Sequence, residues 1–236
     1  MSPAAITLAC LDMAGTTVTD DGAVQEAFSA ALSAGGLDLD APAGLAARTY
    51  VQETMGQSKI EVFGAIFGGD ARAASVANRR FEESYAHSVA VGAVGPLEGA
   101  EAAIDRLRAS GVKVCLTTGF SPSTRDVLID ALGWRDRVDL ALSPADAGRG
   151  RPFPDMILHA VVVLEIEDVA CVAVVGDTAS DLISGRRAGA GMLIGVLTGA
   201  HGRSELEAAG ATHIVDSVAA VPALLRTDPP GAAISG

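Results

Sequence analysis

Asp12, Asp177 and Asp181 are the side chains best suited to chemistry, because each stands in or just past a Gly/Thr-containing segment that ends an apolar run. The run 6–12 ends on Asp12 and is followed by Met13-Ala14-Gly15-Thr16-Thr17. A second run ends on Thr117-Thr118-Gly119, and a third on Gly176-Asp177-Thr178, with Asp181 one helical turn further on. Arg151 opens the segment Arg-Pro-Phe-Pro-Asp, just before a helical stretch. Three carboxylates, a hydroxyl, loop amides and a cation supply a nucleophile, oxygen ligands for a hard metal ion, and donors for the equatorial oxygens of a phosphorus centre. One aspartate after a strand would mean little, since it is commonly a turn former or a helix cap.

Lysine usage points to a second chemistry. Among the 17 Lys+Arg residues only Lys59 and Lys113 are lysine. A chain that otherwise takes its positive charge from arginine keeps lysine where an amine is required. Lys113 lies in Gly-Val-Lys-Val at a strand entrance and has a solvated role; Lys59 calls for another explanation.

These residues need elements that bring them together. Strands are expected at 6–12, 112–117, 138–142, 169–175, 192–196 and 213–215. Helices are expected at 99–110, 123–132, 155–164, 179–188, 204–209 and 218–225. Strands alternating with helices imply right-handed βαβ units and a Rossmann-like parallel sheet buried on both faces, the α/β class. Ligands of such sheets bind beyond the carboxyl ends of the strands, where the three aspartates fall. Between 24 and 91 the pattern is helical only (24–34, 43–53, 59–67, 71–88), broken by Gly35-Gly36, Gly56 and Gly68-Gly69. The expected organisation is a discontinuous core of 1–20 and 93–228, an inserted helical cap of 21–92 and a loose tail of 229–236.

The ordered set Asp12, Thr118, Arg151, Asp177 and Asp181 resembles the haloacid dehalogenase superfamily over nearly the whole chain. The resemblance implies that Asp12 is the nucleophile and Thr118 the second-motif hydroxyl. It also implies that Asp12, Asp177, Asp181 and the Ala14 carbonyl hold Mg2+. Two departures narrow it. Most family phosphatases carry a second aspartate where Ala14 stands, to protonate the leaving alkoxide, and a lysine where Arg151 stands. Both departures match the phosphonatase branch, the phosphonoacetaldehyde hydrolases. Their cap lysine motif Met-Gly-x-x-Lys is matched by Met55-Gly56-Gln57-Ser58-Lys59.

That branch would cleave carbon–phosphorus in phosphonoacetaldehyde or a related 2-oxoethylphosphonate. Direct cleavage would expel an unstable carbanion, whereas an imine between Lys59 and the aldehyde accepts the electrons and leaves as an enamine. Arginine cannot form that imine, because its guanidinium stays protonated. An enamine needs no carboxylic acid, which accounts for Ala14. Arg151 would clamp the phosphonyl oxygens as a planar fork rather than pair with Asp155. By the same resemblance Gly15 and Thr16 give amides to the phosphonyl group, and Met55, Gly56, Gly119 and Phe120 line the pocket. Established members carry a histidine where Val62 stands and a tyrosine where Phe120 stands, so a sister group with its own substrate is expected. The alternatives are a phosphatase of small phosphate monoesters or a phosphomutase, and a catalytically weak fold that only binds a phosphorylated metabolite or a partner protein.

Composition sets outer limits. A formal charge of -12 disfavours nucleic acid as partner, and no apolar run is long enough to cross a bilayer. The start of the chain lacks a basic leader, so a cytoplasmic enzyme of small metabolites is expected, with a homodimer through the cap implied by resemblance. Cys10, Cys115 and Cys171 lie in apolar runs and are expected in the core; His87, His159, His201 and His213 fit no ligand spacing and read as incidental.

Overall fold

The computed structural model describes residues 5–19 and 22–225. Strand β1 (Leu8–Asp12) is five residues long and buried throughout. Four helices follow it, α1 (Ala23–Ala34), α2 (Pro42–Glu53), α3 (Lys59–Ile66) and α4 (Ala71–Ala90). Strands and helices then alternate through α5 (Ala100–Ala109), β2 (Lys113–Thr117), α6 (Pro122–Leu132), β3 (Leu140–Leu142), α7 (Pro144–Ala147) and α8 (Asp155–Val163). The described chain closes with β4 (Val172–Gly176), α9 (Ala179–Ala188), β5 (Met192–Val196), α10 (Arg203–Ala209), β6 (His213–Val215) and α11 (Val221–Leu224).

The strands form one parallel sheet in the order β3-β2-β1-β4-β5-β6. Its strand order reverses at β1, and the connections leave a crevice at the carboxyl ends of β1 and β4. Register fixes what meets there: Asp12 pairs with Thr117, and Leu11 with Val175, so Asp177 follows directly beside the end of β1. One sheet face packs into a cluster that includes Leu11, Ile104, Leu116 and Val175, and the other into Leu8, Cys10, Met156 and Leu182.

Helices α1, α3 and α4 pack together through Phe28, Phe63, Phe81 and Tyr85; the Phe28 and Phe81 rings are 4.8 Å apart. Phe120, from the loop after β2, enters the same cluster at 4.5 Å from Tyr85 and 6.0 Å from Phe81. The helices between β1 and α5 therefore share a continuous apolar core with one face of the sheet. Each buried phenylalanine contributes about 1.5–3 kcal/mol to that union.

Four local expectations are corrected. The strand expected at 169–175 begins with a 3-10 turn (Val169–Cys171), because the Asp168 carboxylate accepts from Ala170 N–H and curls the chain before β4. Cys171 is consequently only half-buried, while Cys10 and Cys115 are buried side by side in register. The last helix is likewise divided, into a 3-10 turn (Val218–Ala220) and α11. Helix α7 was not expected; it stands on a Ser143/Asp146 capping box whose Asp146 is gripped by Arg125. The tail expected from 229 onward lies outside the described residues. No helix among the described residues is long and apolar enough to cross a membrane.

Candidate active site

The carboxylates of Asp12, Asp177 and Asp181 are buried and converge, with one oxygen of each lying within 4.8 Å of the others. Arg151 binds two of them. Its Nη1 donates to Asp12 Oδ1 at 2.6 Å and also to Asp181 Oδ1, and its guanidinium is 3% exposed. The Arg151 Nε is buried with no partner among the described residues. Asp155 belongs to Arg149 instead, which donates at 2.7 and 2.8 Å and holds that carboxyl below its ordinary range.

Asp181 has two duties. Its Oδ2 accepts from Thr178 N–H at 3.2 Å and Oγ1 at 2.5 Å, capping α9, while Oδ1 faces Arg151. Asp177 is fixed by Thr16 Oγ1 at 3.0 Å and Ala200 N–H at 2.8 Å. Burial, and then the charge of Asp12, push Asp177 up to about 7, against the opposing pull of those donors. Three carboxylates against one guanidinium leave surplus negative charge in a buried, all-oxygen donor set. Such a set fits a hard divalent cation, and the raised Asp177 is the charge such an ion would relieve.

A cavity of about 260 Å³ opens over these groups, walled by the strand ends on one side and by Gln25, Met55, Gly56 and Lys59 on the other. Lys59 is buried at the start of α3. Its Nζ donates to Gln57 O at 3.3 Å and lies 5.4, 5.9 and 5.5 Å from the ring centroids of Phe28, Phe81 and Phe120. Lys59 N–H donates to Gly119 O at 3.3 Å, tying α3 to the loop after β2. Gly56 holds the left-handed φ of 84° and comes so close to Thr178 that a Cβ would sit 2.6 Å from its Oγ1. Thr118 also lines the cavity, and its Oγ1 accepts from Phe120 N–H at 3.2 Å.

Of the expected site residues, Asp12, Ala14, Gly15, Met55, Gly56, Lys59, Thr118, Gly119, Phe120, Arg151 and Asp177 line this cavity. Asp181 lies beneath it, reaching the same carboxylate cluster. The expected amide cradle from Gly15 and Thr16 does not form. Gly15 N–H donates to Val18 O at 2.9 Å and Thr16 N–H to Met13 O at 3.1 Å, because both amides close the turn after β1. Thr16 is fully buried behind the wall and acts on Asp177 through its hydroxyl. Val62 and Phe120 are buried and apolar. Lys113 is exposed and donates to Leu164 O at 2.6 Å.

The loop after β5 escaped the sequence reading. Thr198 Oγ1 donates to Gly15 O at 2.6 Å, Gly199 and Ala200 line the cavity, and Ala200 anchors Asp177. His201 is not incidental: its N–H donates to Asp177 O at 3.2 Å, and its Nδ1 accepts from Ala179 N–H at 2.9 Å. The available signal was position, since Thr198-Gly199 follows a strand at the same sheet edge as the aspartates.

A family model of haloacid dehalogenase-like hydrolases matches residues 6–189. A phosphonoacetaldehyde hydrolase of Syntrophobacter fumaroxidans is 30% identical over 198 residues, which is 76% of this chain and 68% of that protein. One of the same name from Bacteroides fragilis is 30% identical over 155 residues, 56% of this chain; the chain thus spans 59% of that relative's length. Among solved structures, a phosphonoacetaldehyde hydrolase-like protein from Oleispira antarctica superposes with TM-score 0.76 at 25% identity, covering 94% of this chain and 92% of that one. A putative phosphoglycolate phosphatase from Lactobacillus delbrueckii superposes equally well, TM-score 0.76, at 20% identity over 95% of this chain and all of its own, a likeness of fold alone. With the parallel sheet, the buried aspartates at its carboxyl edge and a matching family model in agreement, the chain belongs to the haloacid dehalogenase-like hydrolases.

Proposed function

We propose that this hydrolase cleaves the carbon–phosphorus bond of phosphonoacetaldehyde or a closely related 2-oxoethylphosphonate. The observation that carries this reading is the shared cavity: Lys59 and Asp12 line one chamber, and alanine stands at 14. The names of the curated relatives support it. The reading includes a core of 1–20 and 93–228, a helical cap of 21–92, a cytoplasmic location and a homodimer through the cap.

In this mechanism the Lys59 amine attacks the aldehyde carbon and water departs, leaving a protonated imine. An Asp12 carboxylate oxygen attacks phosphorus as the carbon–phosphorus electron pair moves into the imine, giving an enamine and an aspartyl phosphate. The enamine takes a proton at carbon, and water hydrolyses the resulting imine to release the aldehyde and restore the amine. Water then cleaves the aspartyl phosphate. Arg151 and the Thr118 hydroxyl hold the phosphonyl oxygens, with Met55, Gly56, Gly119 and Phe120 bounding the carbon end. Magnesium, held by Asp12, Asp177, Asp181 and the Ala14 carbonyl, would neutralise charge on the transferring group.

The test is reductive trapping. Sodium borohydride with phosphonoacetaldehyde should inactivate the enzyme irreversibly, and peptide mass mapping should place a secondary amine on Lys59. Lys59→Arg keeps the charge and should lose both adduct and cleavage, while Lys113→Arg behaves as wild type. No adduct, together with faster turnover of a simple phosphate ester, sinks the reading and leaves a phosphatase of small monoesters.

A further inference from the structure

Gln25 and Met55 border the catalytic cavity and two of its neighbours. One neighbour is a cleft of about 280 Å³ between α1 and α2. The other is a groove of about 780 Å³, three times the catalytic cavity, which it also meets at Ala200. Thr49, Gln52 and Glu53 of α2 form one wall of the groove, facing His201 and Glu205.

The chemistry of those walls is specific in sign. The His201 Nδ1 accepts a backbone N–H at 2.9 Å, so the proton of the neutral ring sits on Nε2 and is a donor. Glu205 already accepts from Gly202 N–H at 2.9 Å, and Glu53 ends α2 as an exposed carboxylate. Neither lysine nor arginine contributes to the groove among the described residues. Two carboxylates without a cation repel a second anion and favour hydroxyl or amine groups.

We infer that this groove is a second subsite, which takes the part of the substrate remote from phosphorus, and that this part carries an amine or hydroxyl rather than another acid. A two-carbon aldehyde anchored at Asp12 stays inside the catalytic cavity, whereas a longer substrate passes Gln25 and Met55 and gains contacts distant from the reacting bond. Such remote contacts are what a hydrolase uses to select among small phosphorus compounds. The inference extends the reading above in taking the phosphorus end to Asp12, and it is independent of which bond to phosphorus is cut.

Unreactive alkylphosphonates separate the two questions, because they carry neither aldehyde nor ester and bind without turnover. Calorimetry on the full chain with magnesium would compare propylphosphonate, aminohexylphosphonate and carboxypentylphosphonate. The amine should bind about twofold to fivefold tighter than propylphosphonate, as exposed charge pairs do, and the acid no tighter than propylphosphonate. Glu53→Lys should reverse the order of the two long ligands. Equal binding of propyl- and aminohexylphosphonate, or an unchanged order in Glu53→Lys, overturns the subsite; no binding of any of them overturns the phosphorus anchor as well. Failure of the carbon–phosphorus reading shows elsewhere, as an absent borohydride adduct with the binding order intact.

Discussion

Arg151 is the residue on which the charge of the site balances. Its Nη1 serves Asp12 and Asp181 together, while its Nε is buried with no partner among the described residues. A planar fork carries five N–H donors in fixed directions and can hold two carboxylates while directing others elsewhere; a lysine ammonium, as a compact point charge, cannot span the same positions. Arg151→Lys should therefore lower kcat by about tenfold or more, the scale seen for donors aimed at developing anionic charge. Single-turnover phosphate release reads that loss, and near-normal turnover would reduce Arg151 to a structural partner of Asp181. Asp181 makes the same point in reverse, since the oxygen that caps α9 fixes the direction of the oxygen that meets Arg151. Here one conformation both caps the helix and meets the guanidinium.

Helix α3 and the loop before it carry Lys59 to the strand edge, and Gly56 is one point of close approach. Its φ of 84° and its contact with Thr178 are separate constraints, which a second glycine disentangles. Gly36 has a φ of 97° with nothing near its missing Cβ. Both Gly36→Ala and Gly56→Ala should lose about 1–2 kcal/mol of stability from left-handed backbone. Only Gly56→Ala should also depress turnover, by pushing Met55 and Lys59 away from Thr178; denaturant midpoints beside kcat would show the two effects parting, and equal activities would mean the approach is unimportant. The strand ends were legible in the sequence because period and punctuation fix where β1, β2 and β4 stop, and parallel register then forces Asp12, Thr117 and Asp177 to one edge. Lys59 was legible from the scarcity of lysine, from its place in Met55-Gly56-Gln57-Ser58-Lys59 and from the alanine at 14. Its surroundings were not, because Phe28, Phe81 and Phe120 come from three distant segments. Nor were the Gly15 and Thr16 amides or His201 legible, since their partners are backbone groups chosen by loop closure rather than by residue type.

The molecule as a whole carries a charge of -12 and gathers three of its carboxylates in one buried cluster, so protons bound there, and a metal ion if the cluster holds one, would act on its stability at that place. Asp177 is raised from its ordinary 3.8 to about 7 by burial and by Asp12. The folded state thus binds this proton more tightly than the unfolded chain does. Below about pH 4 both states are protonated and the stabilisation is complete; between about 4 and 7 the unfolded chain ionises first, and stability from this group falls with rising pH; above about 7 it is gone. A divalent cation needs the ionised carboxylate, so its binding opposes that loss and grows stronger over the same interval. Magnesium should accordingly raise the melting temperature more at pH 8 than at pH 5.5. At a hundredfold excess over Kd the rise is about 5–10 °C for a chain of this size. Other carboxylates titrate in the same range, and Asp177→Asn separates them, since it should flatten both the pH slope of the metal-free protein and the difference between the two magnesium shifts. Equal magnesium shifts at the two pH values, or a pH-dependent shift that survives in Asp177→Asn, would place the metal's proton competitor elsewhere than Asp177.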